Sequence, residues 1–413
     1  MLILTFRKGK NTPFRTALCF PSRETAGTGR RAEPASFFAR LGPTIYHQEG
    51  TVKPLRAYLV LEDGSIYEGE ARGAFREMAC EVVFNTSMTG YLEILTDPSY
   101  AGQGVVMTYP MIGNYGVSRE DFESIRLQPC AFFLHELCDT PSNFRSTASL
   151  ESVLKEFDIP CIVGLDTRAI VKKLRESGTM RGMMTGDLSN MKRCMDVIRD
   201  FRQIDLVESV SIREPEVVGE GNTGPRIALM DFGVKRNIAR SLANRGCEVT
   251  VYPCFATAEE IIAAKPDGLM LSNGPGDPKD CTGIIREIAK LYEYGMPTFA
   301  ICLGHQLMAL SQGGDTEHMK YGHRGANHPV KFLEEDRSYI SSQNHGYMVK
   351  AEGLPKNAEV NCINVNDGTV EGVVYHGKPV FTVQFHPEAS PGPHDTSFLF
   401  DKFIRMIEKE ELQ

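Results

Sequence analysis

The chain lacks the marks of several common functions. No two of its eleven cysteines, at positions 19, 80, 130, 138, 161, 194, 247, 254, 281, 302 and 362, form a pair at the two-to-four-residue spacing of a zinc site. No resident metal is therefore expected, and the odd, scattered thiols read as reduced cysteines of a cytosol-like compartment. No apolar run reaches the roughly 18 residues that cross a bilayer, so no membrane partner is expected. Basic residues are outnumbered, 45 Lys and Arg against 53 Asp and Glu, and no concentrated positive patch offers itself to nucleic acid. A phosphate loop is missing as well. Gly372 to Lys378 copies its glycine and lysine spacing, but Pro379 replaces the required hydroxyl and no helix follows, so the segment reads as a hairpin turn. ATP chemistry must then lie outside this chain.

What is present begins with length: 413 residues exceed one average domain, and two are expected. Residues 1–52 stand apart, with eight Arg or Lys and three acidic residues, a net of +5 that leaves −13 for the remainder of a chain whose total is −8. Two readings apply to this disordered-looking leader. It is an organelle transit peptide, or the coding start was placed too early and Val52 marks the true one. The protein is cytoplasmic under the second reading and organelle-targeted under the first.

From Leu55 the pattern sharpens. Arg56–Leu61 and Ile66–Gly69 flank the turn Glu62–Ser65 as a hairpin, strands follow at 81–84 and 104–109, and helices are expected over 149–157 and 167–177, the latter capped by Asp166. This mixed α/β domain spans 53–213, the Gly- and Pro-rich stretch 214–225 is the linker, and a second domain fills 226–413. Asn85-Thr86-Ser87 fits a glycosylation acceptor, a pattern short enough to arise by chance.

The second domain alternates short apolar strands (226–231, 248–252, 268–272, 297–301) with helices (235–244, 256–264, 283–294 and one from about 305), the rhythm of a mostly parallel sheet flanked by helices. Ligands in such sheets bind beyond the carboxyl ends of the strands. Asn273-Gly274-Pro275-Gly276 and Cys302-Leu303-Gly304 both fall there. After about residue 326 shorter alternating strands are expected, the last, 380–385, carrying His386 and Glu388 to the same edge.

These residue types suit a thiol nucleophile. A free cysteine, with a pKa of roughly 8.5, needs an imidazolium or a helix N-terminus to populate the thiolate. Cys302 has the prospect of both. His386 would take its proton and later deliver it to a leaving amine, while Glu388, two residues on in an extended segment, would fix the tautomer. The backbone amides of Gly274 and Leu303 are the candidate oxyanion donors. A lone cysteine at a strand end is more often a packing residue, and a glycine-proline loop more often a turn; their joint appearance favours the site. His305, His328 and His345 read as structural or loop-orienting groups.

The motifs Asn273-Gly274-Pro275-Gly276, Cys302-Leu303-Gly304-His305-Gln306 and His386-Pro387-Glu388 together resemble a class I (triad) glutamine amidotransferase domain. Phe84 to Tyr91, Glu93 to Tyr100, Gly113-Asn114-Tyr115-Gly116, Gly325 to Val330 and Ser341 to Tyr347 narrow the resemblance to the small, glutaminase subunit of carbamoyl-phosphate synthase, from about Leu55 to the C-terminus. The resemblance implies that glutamine is hydrolysed through a glutamyl thioester on Cys302 and that ammonia passes to a large synthetase subunit, in a heterodimer or higher oligomer serving arginine and pyrimidine synthesis. It implies that Ser99, Gly274, Gly276, Leu303, Gln306, Asn344, Gly346 and Tyr347 contact L-glutamine. Tyr347 stands where phenylalanine is common. No cofactor is implied for this chain; ATP and magnesium belong to the large subunit. The alternatives are another class I amidotransferase, as in guanine nucleotide or anthranilate synthesis, and a catalytically silent regulatory or binding module.

Overall fold

Strands with apolar residues on both faces build the first half, Val83 and Val105 packing on one side and their neighbours Val82 and Val106 on the other. The computed structural model describes residues 55–408, and the expectations for residues 1–52 lie outside the described residues. Strands β1 (Arg56–Leu61) and β2 (Ile66–Gly73) form the expected hairpin, its turn closed by Ser65 N–H donating to Asp63 Oδ1 at 2.9 Å. There follow β3 (Met78–Asn85), β4 (Gln103–Met107), the short parallel pair β5 (Met111–Ile112) and β7 (Glu136–Leu137), β6 (Ala131–Phe133), β8 (Pro160–Val163) and β9 (Met180–Thr185). Seven of them close a barrel in the order β1-β2-β8-β6-β4-β3-β9, parallel from β3 through β4 and β6 to β8. Closure leaves none of these strands with an open edge. Outside the barrel, the helix Thr167–Ser177 starts where Asp166 accepts from Ala169 N–H at 2.9 Å, as the sequence predicts. Asn85 is buried and donates to Tyr100 Oη at 2.8 Å, so its amide is not a surface acceptor for sugar.

The second half is a ten-stranded sheet. Its strands are β10 (Glu216–Val218), β11 (Arg226–Asp231), β12 (Glu248–Pro253), β13 (Gly268–Leu271), β14 (Thr298–Ile301), β15 (Thr316–Phe332), β16 (Arg337–Val349), β17 (Ala358–Asn364), β18 (Val370–Tyr375) and β19 (Val380–Val383). The order is β10-β12-β11-β13-β14-β19-β18-β17-β15-β16, with β12, β11, β13, β14 and β19 parallel. Neighbouring residues face opposite layers: Met230, Leu271 and Ala300 pack with Ile288 and Leu307 on one side, Leu229, Met270 and Phe299 with Phe400 and Phe403 on the other. Phe299 stacks on Phe381 at 4.4 Å between centroids and meets Phe400 edge-on at 5.8 Å. Truncating it to Ala would cost about 3–5 kcal/mol.

Two expectations change. The linker 214–225 carries β10, which pairs antiparallel with β12, so part of that stretch is sheet edge. The region after residue 326 opens on a ribbon of 17 and 13 residues, β15 and β16, interrupted by irregularities at His318/His323 and Gly325/His328, and only then gives the expected shorter strands β17, β18 and β19. The register shifts by three residues at the first and by one at the second, which conceals one long strand as several short ones.

The barrel and the sheet share one compact unit, 53–413. Glu123, from the barrel half, caps the helix Arg236–Ala243: its carbonyl accepts from Arg236 N–H and its carboxylate from Asn237 N–H, both at 2.9 Å. Thr86 N–H to Arg324 O (3.2 Å) and Thr179 N–H to Lys320 O (2.8 Å) join the halves elsewhere.

Candidate active site

The carboxyl ends of β11, β13, β14 and β19 converge on Cys302, as a parallel sheet with helical crossovers requires. Cys302 follows β14 directly and caps the helix Leu303–Ser311 with φ 53° and ψ −104°. Such a left-handed, non-glycine backbone costs on the order of 1–3 kcal/mol and persists only where its surroundings fix it. Here Cys302 N–H donates to Val383 O at 2.9 Å and Gly304 N–H to Ser272 O at 2.9 Å. Residue 304 must be glycine, because a Cβ would sit 2.6 Å from Leu271 O. The turn aims Sγ at the cavity, 3.7 Å from Asn344 O. As first residue of the helix, Leu303 has an N–H without an intrahelical acceptor, suited to a developing oxyanion. Its side chain packs in the core instead.

His386 and Glu388 meet differently from the sequence expectation. β19 ends at Val383, and the pair sits in a tight turn closed by Ala389 N–H to His386 O at 3.1 Å, not on an extended strand. The turn brings Glu388 Oε1 within 2.6 Å of His386 Nδ1. His386 Nε2 has no hydrogen-bond partner among the described residues and is the nitrogen left for the thiol. Burial opposes protonation of His386, but the Glu388 carboxylate outweighs it and raises the pKa, with the Cys302 thiol adding to the effect. Burial likewise opposes ionisation of Glu388, and Lys235 and His386 together hold its carboxyl low.

Lys235 is the participant that sequence reasoning missed. Its ammonium, 2% exposed, donates to Glu388 Oε1 at 2.9 Å and to Ala389 O. Its backbone N–H donates to Asn273 Oδ1 at 3.0 Å. Only its position just past β11, at the carboxyl edge, could have drawn attention to it. Asp97 was missed too. It accepts from Asn344 Nδ2 (2.8 Å) and Asn273 Nδ2 (3.4 Å), and Asn273 also donates to Ser99 Oγ at 2.9 Å. A carboxylate of the barrel half thus orients two amides of the sheet half.

A cavity of about 110 Å³ opens before Cys302. Ser99, Gly274, Gly276, Gln306, Asn344, Gly346 and Tyr347 all line it, so the structure gathers every sequence-predicted contact residue except the Leu303 side chain. Gly274 is held against Phe232, whose carbonyl a Cβ would meet at 2.2 Å. Gln306 Nε2 donates to Tyr347 O and Gln384 Oε1, both at 2.9 Å. The Tyr347 carbonyl takes one of these bonds, and the Tyr347 ring meets His318 edge-on at 4.9 Å between centroids. His305 is fully buried, 2.7 Å from Thr382 Oγ1, and burial pushes it down to about 3, leaving it neutral and structural.

Residues 228–406 match the family "Glutamine amidotransferase class-I", and residues 59–184 match "Carbamoyl-phosphate synthase small chain, CPSase domain". The chain is similar to the carbamoyl phosphate synthase small chain of Clostridium perfringens, 49% identical over 352 residues that cover 85% of this chain and 99% of the relative. The corresponding protein of Bacillus caldolyticus is 49% identical over 355 residues, covering 86% and 97%. The pyrimidine-specific small chain of Bacillus subtilis is 47% identical over 361 residues, again covering 86% and 97%. With both halves matched in order and nearly the whole length of each relative covered, the chain belongs to the carbamoyl-phosphate synthase small-chain family, its second half a class I glutamine amidotransferase domain.

Proposed function

We propose that Cys302, His386 and Glu388 carry out the glutaminase reaction of this family, and that Ser99, Gly274, Gly276, Gln306, Asn344, Gly346, Tyr347 and the Leu303 amide hold the substrate. The thiol proton passes to His386 Nε2 before attack, giving an imidazolium that Glu388 supports, and the thiolate Sγ then bonds to the carboxamide carbon of glutamine. The tetrahedral oxyanion takes the amides of Leu303 and Gly274. Collapse breaks the C–N bond, His386 returns the proton to nitrogen, and ammonia leaves a glutamyl thioester. Water, deprotonated by His386, then releases glutamate and restores the thiol. The net reaction is glutamine plus water to glutamate plus ammonia.

The observation that best supports this reading is the strained Cys302 turn facing the polar cavity, with His386, Glu388 and Lys235 linked behind it. Ammonia would pass to the large synthetase subunit, in a heterodimer or higher oligomer, where ATP and magnesium bind and carbamoyl phosphate for pyrimidine and arginine synthesis is made. The chain itself needs no cofactor for the hydrolysis. A cytoplasmic location suits this role, and among the described residues no helix is long and apolar enough to cross a membrane. The test is glutamate release from glutamine, alone and with the large subunit and ATP, combined with mass detection of a glutamyl adduct on Cys302. Slow release that rises with the partner is expected. An adduct on another cysteine, or turnover that survives Cys302→Ala, would overturn the assignment.

A further inference from the structure

Strand β16 lines the cavity with Asn344, His345 and Gly346, and the His345 ring extends toward β15. There it meets His323 of β15 edge-on, ring centroids 5.0 Å apart. His345 Nδ1 lies 2.8 Å from Tyr347 O, the carbonyl that also accepts from Gln306. His323 is itself gripped by two carboxylates: Nε2 is 2.8 Å from Asp367 Oδ2 and Nδ1 3.5 Å from Glu371 Oε1. Asn364 Nδ2 donates to the same Glu371 oxygen at 3.0 Å, and Glu371 is fully buried with its second oxygen unpartnered among the described residues. The Glu371 backbone carbonyl accepts from Gln384 N–H at 2.9 Å, and the Gln384 side chain in turn accepts from Gln306. Glu371 therefore reaches the cavity wall by two routes.

Donor atoms of His323, His345 and Glu371 lie within 4.8 Å of one another. Both ring nitrogens of both histidines already face protein groups, with His345 Nε2 at 3.2 Å from Gln343 Oε1 and His323 Nδ1 shared with Asn364, so the cluster is a hydrogen-bonded ion pair and not an ion cage. The bulges of β15 fall on either side of His323, a common placement beside active sites.

We propose that the buried His323–Glu371–Asp367 cluster is a positioning device for the glutamine-contacting strand, holding His345, the Tyr347 carbonyl and Gln306 in register only while His323 carries its proton. This rests on the glutaminase reading of the site. Among the described residues the cation seen against the buried Glu371 carboxylate is His323, so deprotonating the ring leaves that charge uncompensated and loosens the contacts around it. The groups facing His323 are Asp367 from the turn after β17, Glu371 from β18, His328 from β15 and His345 from β16, with Arg324 close to His345. Burial keeps His328 down at about 4 and His345 low, so neither competes for the proton. Burial also opposes the charge on His323, but Glu371 and Asp367 outweigh it and raise its pKa. Their support is present below the ordinary histidine range and disappears as pH rises through the raised value.

The test measures KM and kcat for glutamine across pH 6–9 in the native protein, Glu371→Gln and Asp367→Asn. Native KM should rise toward high pH with kcat little changed. In Glu371→Gln that rise should begin about one pH unit lower, so that KM between the two breaks is up to about tenfold above native. Asp367 lies at the surface end of the cluster, and Asp367→Asn should give a smaller displacement in the same direction, a second measurement if Glu371→Gln folds poorly. Superimposed KM curves, or a loss confined to kcat, would overturn the proposal while leaving the glutaminase reading intact. Absence of glutamate release from the native protein, with or without its partner, would instead strike that reading and this one with it.

Discussion

Replacing Lys235 with methionine removes a charge at the back of the proposed triad while keeping most of its volume. His386 Nδ1 and Lys235 Nζ share Glu388 Oε1 at 2.6 and 2.9 Å, so they lie no more than 5.5 Å apart, the two distances added. At an effective dielectric of about 20, two unit charges at that separation repel by about 3 kcal/mol, equivalent to about two pH units on the imidazolium. Lys235 accordingly restrains a pKa that Glu388 raises. Relaxation around methionine absorbs part of this, so the alkaline limb of kcat/KM for glutamine should move up by about one to two pH units in Lys235→Met. A proton held more tightly is donated less readily to the leaving amine, and kcat should fall by about tenfold. The same variant tests stability. Breaking a buried pair costs about 3–5 kcal/mol, and His386 remains to pair with Glu388, so the lower end is expected. Glu388, whose carboxyl is held low in the folded protein, contributes stability above its unfolded pKa that is lost as pH falls through the folded value. Without Lys235 the folded value rises toward the unfolded one, so less stability should be lost in thermal melts between about pH 5 and 2. An alkaline limb that stays in place or moves down would refute the reasoning.

Other substitutions probe separate links. Cys302→Gly should remove the φ 53° strain and melt higher than Cys302→Ala by about 1 kcal/mol in chemical denaturation, both variants being inactive; equal stability would deny the strain. Ser99→Ala deletes the acceptor for Asn273 and a cavity hydroxyl, and KM for glutamine should rise by about tenfold with a smaller change in kcat. Glu93 is raised to about 7 by burial, so the folded state keeps a proton that the unfolded state releases. Stability should therefore fall by on the order of 3 kcal/mol between about pH 4.5 and 7, and Glu93→Gln should flatten that slope in denaturant titrations.

Much of both halves was legible because strand and helix periods are local. The helix Thr167–Ser177 with its Asp166 cap, the β1–β2 hairpin and the parallel strands near Leu229, Met270 and Phe299 follow from residues only a few positions apart. The β15–β16 ribbon was not legible, because two bulges break its alternation, nor was β10, whose strand is stabilised by a partner more than thirty residues away. The His386–Glu388 pairing was right in its members and wrong in its geometry. An extended i, i+2 pair and a tight turn both place two side chains on one side, and a sequence does not distinguish them.

The sequence by itself determined the groups of the candidate site: a thiol at a strand end, an imidazole and a carboxylate spaced two apart, glycines where the backbone must come close, and family motifs in both halves. Tertiary structure decided what surrounds and tunes these groups. Lys235 lies 153 residues before the carboxylate it holds, and Asp97 lies 247 residues before the Asn344 amide it orients. Such pairs leave no period or spacing to read. They exist because the barrel and the sheet bury one polar seam between them, where every charge must find a partner.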